Sequence, residues 1–471
     1  MLFSSTTFIY IFLPTVIIIY YGFLRKNRQF QNVFLFVASL MFYAWGEPKF
    51  VFVMMASIVI NWLFGLIIQK ERGKRLSKIA LVLDIFVNLF LLFVFKYLSF
   101  SLSILQNLSK TDLHIISIEL PIGISFFTFQ AMSYVIDVYR QNGKAQTNLL
   151  NVGLYISFFP QLIAGPIVRY ETVANEIQSR VETSDDFFDG FARFVIGLSK
   201  KVLLANNFAV LADQAFDSVK NTGSVSALFG WLGAIAYTLQ IYYDFSGYSD
   251  MAIGLGKMFG FHYKENFNYP YISTSVTEFW RRWHMSLGTW FRDYLYIPLG
   301  GNRCSKRRNV FNLFIVWTLT GLWHGANFTF LVWGLMYFVL LIVEKNTGIL
   351  NVKGRLVYIL KWIYTSFFVI IGWIIFRSDS LSETFIYLKN IFLLNGNSLS
   401  DGIFHGWFTQ SIALLCIGVI FCTPIARLMV LKVKENKTAK MFEVIVLCCL
   451  FVLSLASLIG SSYNPFIYFN F

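Results

Sequence analysis

The chain has 471 residues, of which 56% are hydrophobic, 19% aromatic and only 14% charged, with a formal net charge of +14. Soluble domains carry about a quarter charged residues, so the composition excludes a soluble globular protein and places the chain in a bilayer. Lys and Arg fall in short clusters between apolar runs, a membrane-topology signal rather than a nucleic-acid surface, and the five cysteines form no CxxC pair, which argues against a disulfide framework or a metal site.

A helix needs about 20 apolar residues to cross the hydrocarbon core. The first such run, 8–24, lacks a preceding basic region and reads as a retained helix rather than a signal peptide. Arg25, Lys26 and Arg28 follow it, so the positive-inside rule puts the N-terminus outside and this loop in the cytoplasm. Two helices with an outer turn at Gly46, Glu47 and Pro48 lead to the next basic cluster, Lys70, Arg72, Lys74, Arg75 and Lys78. Residues 81–95 lead outward, 107–119 form a polar outer loop, and 121–138 return to Arg140 and Lys144.

From 149 to 223 the pattern is interrupted by Pro160 and Pro166, and 171–189 is too polar to span, so re-entrant or interfacial helices are expected. The apolar run 224–259 contains Asp244, Ser246 and Asp250, and leads to a Trp- and Arg-rich segment, 262–308, assigned to the cytoplasmic side. Residues 310–323 then rise as a helix, break at His324, Gly325, Ala326 and Asn327, and descend to 343. Three further runs, 356–376, 406–424 and 441–459, alternate with basic loops, which places the last residues outside. The reading is a single all-α, polytopic membrane domain over 1–471 with roughly ten to twelve membrane segments.

His324 stands in mid-hairpin, where an ionisable group is expensive and marks function by default. The plainer reading is a packing histidine. Burial favours neutral imidazole, the form that accepts a proton, so His324 is a candidate general base. The run Glu278, Phe279, Trp280, Arg281, Arg282, Trp283, His284, with Trp290, Phe291, Arg292, Asp293 and Tyr294 beyond it, reads either as an interfacial belt or as a site for an anionic, aromatic ligand such as acyl-CoA. Composition alone leaves those two open.

Gly254, Gly256 and Gly260 follow a membrane helix rather than a strand, and are assigned to helix packing. Walker A, GxSxG and HExxH sequences are absent. Asp244 and Asp250 read as a carboxylate pair for ion or proton transport, or equally as structural groups. The final hexapeptide, Phe466, Ile467, Tyr468, Phe469, Asn470 and Phe471, is an interfacial anchor in the plainer reading. In the sharper one it folds back into an outward-facing cavity and presents the Tyr468 hydroxyl, which needs a base to become a nucleophile.

The long motif from Thr277 to His284, continuing through Trp290, Arg292, Asp293, Tyr294, Pro298, Gly300, Gly301, Asn302 and Arg303, closely resembles the signature of the membrane-bound O-acyltransferases, in their bacterial alginate and peptidoglycan O-acetyltransferase branch. Supporting stretches are 121–140, 158–170, 242–259 and 321–327. The resemblance implies a ring of tilted helices with re-entrant segments and two opposed funnels. It implies that His324 is the family's near-invariant histidine, that His284 supports the cytoplasmic funnel, and that Trp280, Arg281, Arg282, Trp290, Arg292 and Asp293 hold the donor.

The tail resembles the FxYFxF hexapeptide of some members or their accessory proteins, with Tyr468 as acyl carrier. The implied activity is O-acetylation of a cell-surface polysaccharide from acetyl-CoA, without a permanently bound cofactor. It proceeds through an SGNH-type extracytoplasmic partner, in the bacterial cytoplasmic membrane with both termini outside. The rival expectations are D-alanyl transfer to teichoic acid and, from a different class, a lipid or saccharide transporter or flippase.

Overall fold

The computed structural model describes residues 1–110, 118–425, 427–428, 437–461 and 463–467, over 437–440 by backbone alone. Every regular element among the described residues is a helix, without a strand. Among them seven helices are long and apolar enough to cross a membrane, and a shorter apolar one, α1 (Phe8–Phe23), precedes them. Contacts divide the chain into two compact units, one of residues 1–194 with 248–264 and the other of 195–247 with 265–467.

The first unit holds α1, α2 (Arg28–Ala44), α3 (Val51–Lys70), α4 (Arg75–Ser109), α5 (Ile124–Arg140), α6 (Leu149–Ser157) and α7 (Tyr170–Ser179). Asn27 starts α2 by accepting from the amides of Gln29 and Phe30, the usual service of an N-cap side chain. In lipid the apolar effect gives helices no reason to associate, so packing and polar contacts must do it. Asn61 on α3 and Asn88 on α4 meet that need by exchanging amide hydrogen bonds of 3.2 and 3.1 Å.

Two long helices, α8 (Ser184–Thr222) and α9 (Ala227–Met258), contribute residues to both units. Within the first unit, a Cβ on Gly254 would lie 2.5 Å from the carbonyl oxygen of Gly190, so these helices touch backbone to backbone, as the small-residue spacing implies. There Asp250 pairs with Arg193 at 2.8 Å.

The second unit adds α10 (Val276–Arg282), α11 (Met285–Phe291), α12 (Lys306–His324), α13 (Phe328–Thr347), α14 (Arg355–Arg377), α15 (Leu381–Ile391), α16 (Gly402–Phe421) and α17 (Lys437–Gly460). Helices α12 and α13 form the expected hairpin, broken at 325–327. Its arms are close because Gly321 and Gly334 face each other: a Cβ on Gly334 would stand 2.4 Å from the Trp317 carbonyl oxygen, and one on Gly321 2.4 Å from that of Phe330. The short helix α15 has no counterpart in the sequence reading. Ser380 caps it, accepting from the Glu383 amide, and Tyr387 anchors it by donating to the carbonyl of Gly230 at 2.7 Å.

Candidate active site

His324 is the last residue of α12 and is 3% exposed. Helix α12 stops there because Gly325 is extended, and Asn327 starts α13 by accepting from the Thr329 amide. The imidazole sits among rings, with centroids 5.0 Å from Trp323, 5.1 Å from Trp333 and 5.2 Å from Phe376. Three helices thus fix its orientation, α12 and α13 by the hairpin and α14 through Phe376.

His284 lies between α10 and α11, buried, with a left-handed backbone at φ 43°. A non-glycine residue held there costs of order 1–3 kcal/mol and persists only where the surroundings enforce it. The enforcing residue is Asn266. Its carbonyl Oδ1 accepts from the Ser286 amide at 3.1 Å and the Ser286 hydroxyl at 2.8 Å, and lies 3.2 Å from His284 Nδ1. An oxygen that accepts from a backbone amide fixes the orientation of the Asn, so Nδ1 of His284 carries the proton and the lone pair is on Nε2. Burial pushes this imidazole down to about 3, and it is neutral at any physiological pH. The ring packs against Phe245, 4.6 Å between centroids, and against Trp323 at 6.0 Å. The two histidines therefore share one indole.

The Trp- and Arg-rich motif is tied to the same cluster. Glu344 on α13, 1% exposed, accepts from the amides of Val276 and Thr277 at 2.6 and 2.9 Å and from the Thr277 hydroxyl. A carboxylate at the first turn of α10 satisfies orphan amides and meets the positive end of the helix dipole. Trp280, one turn on, is half-buried and lies edge-on to Trp317, Trp333 and Tyr337 at 5.0, 5.4 and 4.8 Å. It thereby shares Trp333 with His324.

Of the remaining motif residues, Arg281 and Arg292 are exposed. Arg282 pairs with Glu278 at 2.9 Å, Arg292 with Asp293 at 2.6 Å, and Trp290 is buried against Phe291 and Tyr294. Tyr468 lies outside the described residues. The segment just before it is well held. Phe466 is buried, Lys201 donates to the Pro465 carbonyl, and Asp244 accepts from the Ile467 amide at 2.9 Å. Asp244 forms its ion pair with Lys201, and Asp250 with Arg193, so each aspartate has its own cation.

Sequence reasoning passed over Asn266, Ser286, Glu344 and Lys201. Only Glu344 left a trace, as an acidic residue ending an apolar run. The others are polar residues whose partners are distant in the chain.

The membrane-bound O-acyltransferase family matches residues 41–380. The chain is 43% identical over 406 residues to a probable alginate O-acetylase, AlgI, of Pseudomonas aeruginosa, covering 85% of this chain and 76% of that one. It is 32% identical to a peptidoglycan O-acetyltransferase of Helicobacter pylori, across 100% of this chain and 98% of that one. A teichoic acid D-alanyltransferase of Bacillus subtilis is 30% identical, over 54% of this chain and 68% of the relative. With its apolar helices and its paired histidines, the chain belongs to the membrane-bound O-acyltransferase family and is a multi-pass membrane O-acyltransferase.

Proposed function

We propose that the protein O-acetylates a cell-surface polysaccharide, taking the acetyl group from cytoplasmic acetyl-CoA and delivering it across the bacterial inner membrane, with both termini outside. The observation that carries this reading is the pair of buried histidines on one indole, His324 at a break between two apolar helices and His284 at the end of the Trp-Arg motif. His324 takes the phenolic proton of Tyr468 as the phenolic oxygen attacks the thioester carbonyl carbon. The carbon–sulfur bond breaks, and the proton passes from His324 to the departing CoA thiolate. The acetyl-tyrosine ester then passes its group to a serine of an SGNH-type partner, which restores the tyrosine hydroxyl.

His284 is too weak a base to share that work, because a base should titrate near the operating pH. Its neutral Nε2 suits it to orienting a donor group instead. Among the motif cations Arg281 and Arg292 are exposed, which suits Arg281 to the phosphates of CoA, and Arg292 as well once it exchanges its Asp293 partner for them. The alternatives receive less support. The relative named for D-alanyl transfer matches about half of this chain, whereas the named acetylases match 85% or more. A transporter reading needs Asp244 and Asp250 as working carboxylates, and both are engaged by cations.

The test is mass spectrometry of the 463–471 peptide after incubation with isotopically labelled acetyl-CoA, comparing wild type with His324→Ala. A label on Tyr468 that the variant lacks is the expected result. Unlabelled Tyr468 in a wild-type protein that still acetylates its polymer would remove the tyrosine from the pathway.

A further inference from the structure

Lys201 on α8 and Asp244 on α9 form an ion pair of 2.8 Å with side chains 2% and 1% exposed. Burying two charges costs several kcal/mol apiece, and their attraction offsets this only if further hydrogen bonds satisfy what the pair leaves over. Here part of that demand is met by the main chain of 465–467. Lys201 Nζ donates to the Pro465 carbonyl and lies 5.9 Å from the centre of the Phe466 ring, and it also reaches Asn206 Oδ1 at 2.8 Å. Asp244 Oδ2 accepts the Ile467 amide at 2.9 Å. Asn206 in turn reaches the Asn464 side chain at 3.3 Å, and the Tyr463 hydroxyl donates to Asp213.

We infer that Lys201 and Asp244 form a clamp that grips the backbone of 465–467 and so fixes the chain one residue before Tyr468 for the transfer step. They are positioning residues, and this role rests on the reading of Tyr468 as carrier. The donor belongs to Lys201 and the acceptor to Asp244, so the clamp has a polarity that the ion pair alone does not. Exchanging the two residues keeps opposite charges in contact, yet turns an acceptor toward the Pro465 carbonyl and a donor toward the Ile467 amide. The clamp reads main-chain groups, so it constrains where this segment lies more than which side chains it bears.

The experiment uses the full-length protein in detergent micelles or nanodiscs, with two variants. The first is the exchange Lys201→Asp with Asp244→Lys. The second is Ile467→Pro, which removes the donated amide without touching the pair and decides the matter if the exchange variant fails to fold. Amide hydrogen exchange over 463–467 reads the clamp directly, and acetyl transfer at varied acetyl-CoA reads its consequence. The expected result in both variants is exchange accelerated at least tenfold, with kcat lowered at least tenfold and the KM for acetyl-CoA unchanged.

Wild-type exchange and wild-type kcat in Ile467→Pro would overturn the clamp. So would a loss of kcat with no change in exchange. Faster exchange in the variants, alongside a wild-type Tyr468 that never carries label, would support the clamp as a dock for this segment while the carrier reading fails by itself.

Discussion

His284 and His324, forty residues apart in the chain, both lie against the indole of Trp323, at centroid distances of 6.0 and 5.0 Å. The one is held in a single tautomer by Asn266 and kept neutral by burial, and the other ends α12 amid Trp333 and Phe376. With His324 proposed as base and His284 as orienting group, substitutions at the two should separate chemistry from orientation.

His324→Ala should lower acetyl transfer by about 10²- to 10⁴-fold, the range for general acid–base help, with the KM for acetyl-CoA little changed. Steady-state kinetics beside a thermal melt checks this. A matching loss of folded protein would mean that the ring is there for packing.

Asn266→Ala removes the acceptor for His284 Nδ1 and for the Ser286 amide. Leaving buried donors unsatisfied costs roughly 1–3 kcal/mol each, so the melting midpoint should fall by several degrees. His284 would also lose the bond that fixes its tautomer. The expected kinetic signature is a poorer KM for the donor, and a variant with wild-type KM would remove Asn266 from the site.

The buried His284 gives stability a pH dependence whose direction is fixed. Its folded value is about 3 against an ordinary 6.5, so between those limits the unfolded chain binds a proton that the folded one refuses. The contribution is complete above about pH 6.5 and is lost progressively as pH falls toward 3, amounting to about 2 kcal/mol at pH 5. Melting curves at pH 7 and pH 5 should differ less for His284→Gln than for wild type. Equal shifts would place the ring in contact with solvent.

Gly334→Ala introduces a Cβ 2.4 Å from the Trp317 carbonyl oxygen, a backbone atom that cannot swing aside. Overpacking of this kind costs about 1–3 kcal/mol and should splay the arms that carry His324. Loss of transfer with a lowered melting midpoint is expected, and a variant indistinguishable from wild type would show that the hairpin tolerates separation there.

Much of this was legible in the sequence, where a length rule applied. The hairpin around His324 could be read because two apolar runs flank Gly325 and Asn327, and a glycine followed by an N-cap residue is how one helix ends and the next begins. The long helix 227–258 was legible for the same reason. Residues 149–223 were legible only in part: α6 and α7 are too short to leave a hydropathy signal, and the expectation of re-entrant or interfacial helices missed that 184–222 form one 39-residue helix, long and apolar enough to cross a membrane, whose acidic first turn masks its apolar stretch. Asn266 and Lys201 were invisible because their meaning lies in partners 18 and 264 residues away. Asp244 and Asp250 looked like a pair because sequence shows spacing and hides the cations that each has found.

Glu344 has a consequence for what evolution can alter. From the capping Asn327 to Glu344 there are 17 residues of α13, about 25 Å of helix at 1.5 Å per residue. One end stands beside the histidine and the other pegs the Trp-Arg segment. Helix α13 is thus a ruler between His324 and the Trp-Arg segment. Inserting or deleting a single residue would turn Glu344 by about 100° away from α10 as well as shifting it. The distance between His324 and the Trp-Arg segment is therefore set by a residue count, and only changes that preserve that count leave the two in step.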